Sequence, residues 1–385
     1  MTLVATEDLR RQNTATVLRS LRHDGPATRT ELARRTGLAK ATVGTIVGAL
    51  VDGGHVSEAD AVAAARGRPG RPLVLTGSTL VGLGLEVNVD YVSSVAVDLG
   101  GTVRLERTVP VEDRDPYEVV VAAARESADL MSGMGTRVVG ATVAVPGLVD
   151  RQNGIVAMAP NLGWRGRTVA DDLGAATGLP VAVENDANCA ALAEARRGAT
   201  IGLDQSVYVT GTVGIGAGVI SGGAIVRGTS GFAGEVGHIP LGDPAARCGC
   251  GRRGCWEASV GLRALLSAVG VAEDGTPLEA AEAVSRRAAS DASTAEILDG
   301  IGVLLGKGVA TMANILNPDA VVLGGYFVPL APYLMPATVR EIEAHVTSAP
   351  YASIDVRLST LGLRAAATGA AEEALTQVLS GATAV

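Results

Sequence analysis

The chain has 385 residues, 47% hydrophobic and 19% charged, which is ample for a large core and argues against disorder. Its net charge of −8 argues against a nucleic-acid binder only until the charges are followed along the chain. Residues 1–75 carry eleven Lys and Arg against seven acids, a balance of +4, which leaves −12 for the remainder.

The first residues are charged from Glu7 onward and contain no apolar signal-peptide core. Val17, Leu18 and Leu21 lie at helical spacing within residues 13–22, and Asp24-Gly25-Pro26 then makes a turn. Thr28 and Glu31 fit a capping box that opens a second helix carrying Leu32 and Ala33. Gly37 breaks it, and a third helix follows with Val43, Ile46, Val47 and Leu50 on one face. This is the spacing of a helix-turn-helix. Arg29, Lys40, Ala41, Thr42 and Thr45 are the residues expected to face DNA, threonine being able to bond a base or touch a thymine methyl. A three-helix bundle for protein contacts shares the same spacing. Strand-like segments near Val56 and at Leu73-Val74-Leu75 flank Arg66-Gly67-Arg68-Pro69-Gly70-Arg71-Pro72. A stiff ribbon with Arg66, Arg68 and Arg71 reads as a wing suited to the narrow minor groove, the alternative being a basic linker.

From residue 80 the pattern becomes α/β. Strands are expected at 81–87, 92–99 and 102–109, a helix near 116–131 and a strand at 138–145. A second block opens alike with 206–211, 215–220 and 223–227, then helices, then a strand at 319–323, so the body reads as an internal duplication. The uncharged stretches 206–226 and 320–339 are broken by glycine or proline and read as strands and turns. The expectation is a cytoplasmic chain without a membrane segment.

Glu184-Asn185-Asp186-Ala187-Asn188 follows a short strand, 181–183, and opens a helix to about 196. A carboxylate there can take a proton from a bound hydroxyl, or simply cap the helix. His238, Cys248, Cys250 and Cys255 form a H-x9-C-x-C-x4-C array, matching a closed structural zinc site rather than one that activates water. Cys189 reads as buried filler.

The chain resembles the ROK family (repressors, open reading frames and sugar kinases), in its winged-helix repressor branch. The residues that carry this are Gly231-Phe232-Ala233-Gly234-Glu235-Val236-Gly237-His238 and Cys248-Gly249-Cys250-Gly251-Arg252-Arg253-Gly254-Cys255-Trp256-Glu257, with Pro146-Gly147, Ala159-Pro160-Asn161-Leu162 and the 184–188 stretch. The resemblance implies a winged helix-turn-helix at 1–76 and two actin/hexokinase-like (ribonuclease-H-like) lobes, 80–202 and 203–385, with the C-terminal helix returning to the first lobe. It implies sugar contacts from Asn161, Asn185, Asp186, Glu235, His238 and Glu257, with Asp186 the base of a kinase. It also implies double-stranded operator DNA and a sugar or sugar-derivative effector as partners, and a homodimer or homotetramer. Family kinases begin the first lobe with Asp-x-Gly-Gly-Thr, whereas this chain has Glu86-Val87-Asn88-Val89-Asp90. Thr210, Gly211, Thr212 and Gly214 keep most of the second phosphate loop, and Gly324-Gly325 stands where nucleotide would sit. The expected function is a sugar-responsive transcriptional repressor without efficient phosphorylation. The alternative is an ATP- and Mg2+-dependent sugar kinase, glucokinase-like and possibly bifunctional.

Overall fold

The computed structural model describes residues 2–59, 71–77, 79–212, 214–272, 275–348 and 354–383. The head opens with α1 (Thr2–His23), which begins earlier than residue 13 because no Gly or Pro interrupts its first turns. Helices α2 (Arg29–Thr36) and α3 (Lys40–Asp52) follow. Thr28 and Glu31 form the reciprocal capping box, and Gly37 ends α2 in the left-handed conformation at φ 71°. Strands β1 (Val56–Glu58) and β2 (Leu73–Leu75) pair antiparallel, Val56 opposite Leu75, on either side of the segment expected as a wing. Arg66 and Arg68 lie outside the described residues.

The first lobe runs β3 (Leu80–Val87), β4 (Tyr91–Asp98), β5 (Val103–Pro110), α4 (Pro116–Gly133) and β6 (Arg137–Val145). A three-stranded meander that the sequence did not announce comes next, β7 (Leu148–Asp150), β8 (Ile155–Ala159) and β9 (Trp164–Arg167). Then come α5 (Val169–Thr177), β10 (Val181–Asn185) and α6 (Asp186–Arg197). The second lobe contains β11 (Gln205–Gly211), β12 (Ile215–Ser221), β13 (Ala224–Ile225), α7 (Glu257–Val260), α8 (Leu262–Val269) and α9 (Pro277–Ala288). It continues through α10 (Ala292–Leu316), β14 (Ala320–Gly325), α11 (Phe327–His345) and β15 (Asp355–Leu358) to α12 (Ala365–Leu379). The third strand of this lobe is shorter than expected, two residues rather than five.

The sheets are ordered β10-β6-β3-β4-β5 and β13-β12-β11-β14-β15. Counted from each lobe's first strand, both read 3-2-1-4-5, with the first three strands antiparallel and the last two parallel to the first. The duplication is therefore real at the level of topology. Each lobe has its own apolar core, and a third cluster between them joins Cys189, Ala190 and Ala191 of α6 to Ala365, Ala366 and Ala370 of α12.

Helix α12 packs on β3, β4 and β6 and along α6. Its backbone comes so close that a Cβ at Gly84 would stand 1.9 Å from the Ala367 carbonyl oxygen, and one at Gly369 would stand 1.7 Å from the Cys189 carbonyl oxygen. The same helix meets the head. Val17, Leu18 and Leu21 share one apolar cluster with Val97, Leu99, Leu375 and Leu379, so the head is docked on the body and not strung on a free linker. At this junction the Arg22 guanidinium donates to the Asp98 and Leu99 carbonyls and, at 2.6 and 2.8 Å, to both oxygens of Glu372.

Gly84→Ala is expected to destabilise the chain by about 1–3 kcal/mol, because a methyl forced against backbone cannot be relieved by a rotamer change. Gly300→Ala in α10, where a Cβ meets nothing within 4 Å, is expected to be neutral or to stabilise. Urea unfolding of the two variants beside the parent checks both signs.

Candidate functional site

The strand-helix junction at β10–α6 is built by Asn185, not by Asp186. The Asn185 side-chain oxygen caps α6 by accepting from the Asn188 N–H at 3.1 Å, and its amide donates to the Gly147 carbonyl at 3.1 Å. Asp186 is left as the first helical residue, where the positive end of the helix favours a carboxylate. Burial pushes its pKa up to about 6, opposed by backbone N–H bonds. At neutral pH it remains a hydrogen-bond acceptor.

Six residues singled out in the sequence, Asn161, Asn185, Asp186, Glu235, His238 and Glu257, line one cavity of about 480 Å³ together with Pro146, Gly147 and the Gly214–Gly216 backbone. They arrive from different elements: the 3-10 turn after β8 (Asn161), the N-terminus of α6, the turn leading into His238, and the first residue of α7 (Glu257). Amides, carboxylates and an imidazole in a cleft of this size suit a small polyhydroxylated ligand, whose hydroxyls each donate and accept.

The ligand atoms of His238, Cys248, Cys250 and Cys255 all lie within 4.8 Å of one another. His238 Nδ1 is 3.7 Å from Cys248 Sγ, and Cys250 Sγ is 3.7 Å from Cys255 Sγ. A tetrahedron with metal–S about 2.3 Å and metal–N about 2.0–2.1 Å has ligand edges of roughly 3.5–3.8 Å, so the donor set and its spacing fit such an ion. Cys189 is buried in α6, away from this group. The far ring nitrogen of His238, Nε2, lies 3.9 Å from the Glu235 carboxylate. Glu257 ties the cysteine loop to the β11–β12 loop, accepting from the Cys248 thiol at 3.3 Å and from the Ile215 N–H at 2.9 Å.

Thr210, Thr212 and Gly214 border the same cleft, while Gly211 lies against the Tyr326 ring and Gly325 against the Gly211 backbone. Gly324 faces the Tyr208 hydroxyl. Beyond Asp186, on the side of the β3–β4 turn, is a space of only about 30 Å³. That is room for about one water. Part of its wall is Glu86 and Tyr91, whose hydroxyl donates to Glu86 at 2.9 Å. Burial, with the Asp186 charge nearby, pushes Glu86 up to about 8, so this carboxyl is protonated at neutral pH. Tyr91 was not foreseen, because its effect depends on a partner five residues back across a turn.

On the head, Lys40, Ala41 and Thr45 are exposed at the start of α3 and Thr42 is half-buried. Arg29 and Arg71 do not stand free. Both reach Glu58 of β1, at 2.7 and 3.6 Å.

Glu184, quoted in the sequence only as part of a motif, proves to anchor an ion network. It accepts from Asn188 at 3.0 Å and pairs with Arg227 at 2.6 Å and Arg151 at 3.3 Å. Both arginines also reach Glu373 of α12.

Residues 82–377 match the ROK family and residues 12–59 match the IclR helix-turn-helix domain. The xylose repressor of Bacillus subtilis is 30% identical over 366 residues, with 94% of each chain covered. The glucokinase of Halalkalibacterium halodurans is also 30% identical, over 73% of this chain and 90% of its own. Among solved structures, a ROK family transcriptional regulator homologous to the E. coli Mlc protein superposes with a TM-score of 0.81 at 26% identity, covering 97% of this chain and 98% of that one. A ROK glucokinase from Streptomyces griseus, in complex with glucose and AMPPNP, reaches 0.65 at 27% identity over 77% of this chain and 99% of its own. The chain belongs to the ROK family and carries an IclR-type helix-turn-helix at its N-terminus.

Proposed function

We propose that the protein is a sugar-responsive transcriptional repressor that binds operator DNA through α3 and the wing and senses a sugar in the cleft around Asp186. The observation that carries this reading is the union, in one chain, of a helix-turn-helix head docked on α12 and a cleft where six polar side chains converge. Full-length similarity to the xylose repressor supports it. A ligand that prefers one angle between the lobes shifts the head with it, since only differential affinity moves such an equilibrium.

The sugar reading differs from a kinase reading at the phosphates. Asp186 keeps the character of a general base, but the β3–β4 turn presents Asn88 and Val89 where bare glycine amides would cradle phosphate, and Asp90 where the threonine would stand. Burial and the Glu279 charge push Asp90 up as well. Tyr91 covers the same corner. These features favour binding without phosphoryl transfer. Zinc in the His238, Cys248, Cys250 and Cys255 set would have no open position and would hold the loop that presents His238 and Glu257. The imidazole bound through Nδ1 would then show Nε2 to the cleft.

The sugar that acts as effector is expected to change operator affinity of the parent protein severalfold, read by fluorescence anisotropy. Asp186→Asn should keep DNA binding and lose that response, and neither protein should yield sugar phosphate with ATP and Mg2+. Rapid formation of product would establish the kinase reading instead.

Chelation, or Cys250→Ser, is expected to lower the melting temperature and weaken sugar binding together. Atomic absorption should find about one zinc per chain in the parent protein.

Glu86 makes a pH prediction. Its folded pKa lies above its unfolded value, so the native state keeps a proton that the unfolded chain has lost. Stability from this group is complete at acid pH and is lost as pH rises toward about 8, with Asp186 adding in the same direction up to about 6. Glu86→Gln should flatten the fall in melting temperature between pH 5 and 8 that calorimetry records for the parent.

A further inference from the structure

A second cavity, of about 270 Å³, lies where α1 of the head meets α6, the hairpin end at β13, and α12. It shares no lining residue with the sugar cleft. Its walls carry Arg19, Arg22, His23, Arg196 and Arg227, faced by Glu372 and Glu373.

The charges there do not balance. Glu372 pairs with Arg22 and Arg197, and Glu373 and Glu184 pair with Arg151 and Arg227. Three carboxylates thus meet four guanidinium groups. Arg19 and Arg196 make no ion pair among the described residues. Arg19 donates to the Leu379 carbonyl at 3.0 Å and the Thr16 hydroxyl at 3.1 Å, and Arg196 to the His23 imidazole and, at 3.5 Å, the Gly223 carbonyl. Burial holds Arg196 below its ordinary pKa, and burial together with Arg196 and Arg22 holds His23 below its own. The charged form of His23 is thus disfavoured, and its ring meets the Arg196 guanidinium. On the cavity wall itself four guanidinium groups face two carboxylates, and such a partly buried cluster is poised for an anion.

We propose that this cavity binds a small phosphate monoester, such as a sugar phosphate, as a second ligand distinct from the neutral sugar of the cleft. A phosphate dianion meets guanidinium forks bidentately and matches the excess better than a single carboxylate does. Leu192, Ile225 and Leu379 leave an apolar wall for the carbon skeleton. A ligand held by Arg19 and Arg196 ties the DNA-reading head directly to α6 of the body.

The test is isothermal titration of the full-length protein with glucose 6-phosphate, with inorganic phosphate, and with neutral glucose and xylose, in parent, Arg196→Gln and Asp186→Asn. Saturable binding of glucose 6-phosphate is expected in the parent, weakened at least about tenfold (about 1.4 kcal/mol) in Arg196→Gln and unchanged in Asp186→Asn. Binding of inorganic phosphate with the same pattern would place recognition in the phosphate alone. Loss of binding in Asp186→Asn with retention in Arg196→Gln puts the phosphate in the sugar cleft and overturns the proposal, as does the absence of saturable binding to either phosphate. Should Arg196→Gln fail to fold, Arg19→Gln on the facing wall carries the same expectation. The neutral sugars read the cleft separately, so failure of the sugar reading leaves this result standing.

Discussion

The close approach of α12 to the first sheet is the constraint on which the rest depends. Gly84 and Gly369 allow it, and alanines at 365–367, 370 and 371 fill the gap without holding the helix away. A helix set this deep takes its polar residues with it. Glu372 and Glu373 are both buried, and a buried carboxylate must be paired to be tolerated. Their partners come from the head (Arg22), from α6 (Arg197), from the meander (Arg151) and from the turn before the family signature (Arg227). One packing decision thereby ties four parts of the chain to two adjacent side chains.

The two acids point their partners toward different ends of the molecule. Glu373 shares Arg227 and Arg151 with Glu184, whose neighbour Asn185 caps the helix that carries Asp186. Glu372 shares Arg22 with the carbonyls that end β4. Cleft and head thus each reach α12 through a set of ion pairs, the two sets meeting at adjacent residues, and removing one partner of such a pair costs more than the pair contributes. The element common to both sets is α12, whose two positions would have to differ for cleft and head to be coupled.

Local chemistry was legible in the sequence. The capping box at Thr28 and Glu31, the stop at Gly37, the βββ openings of both lobes and the His238 and cysteine array all depend on neighbours within a few residues or on a repeated pattern. The family motifs brought Asn161, Asp186, Glu235 and Glu257 to one cavity because each motif is a turn fixed by its own backbone. Interactions that join distant segments were not legible. Arg22 meets Glu372 across 350 residues, and nothing in either neighbourhood marks the pair. The β7–β9 meander escaped because strands of three to five residues carry too few alternations to register. Asn185 rather than Asp186 as the cap was open at the level of residue type, since both side chains cap well.

Glu58 bears on selectivity. It pairs with Arg29 and Arg71, so in the proposed DNA complex phosphate would compete with a carboxylate already in place for both cations. A cation released from an internal partner contributes less to counterion release than one that stood in solvent. On that proposal the head would gain little from random duplex, and sequences whose base contacts along α3 offset the exchange would gain relatively more. An acidic residue on a DNA-reading surface acts in this way as a discount on indiscriminate adhesion.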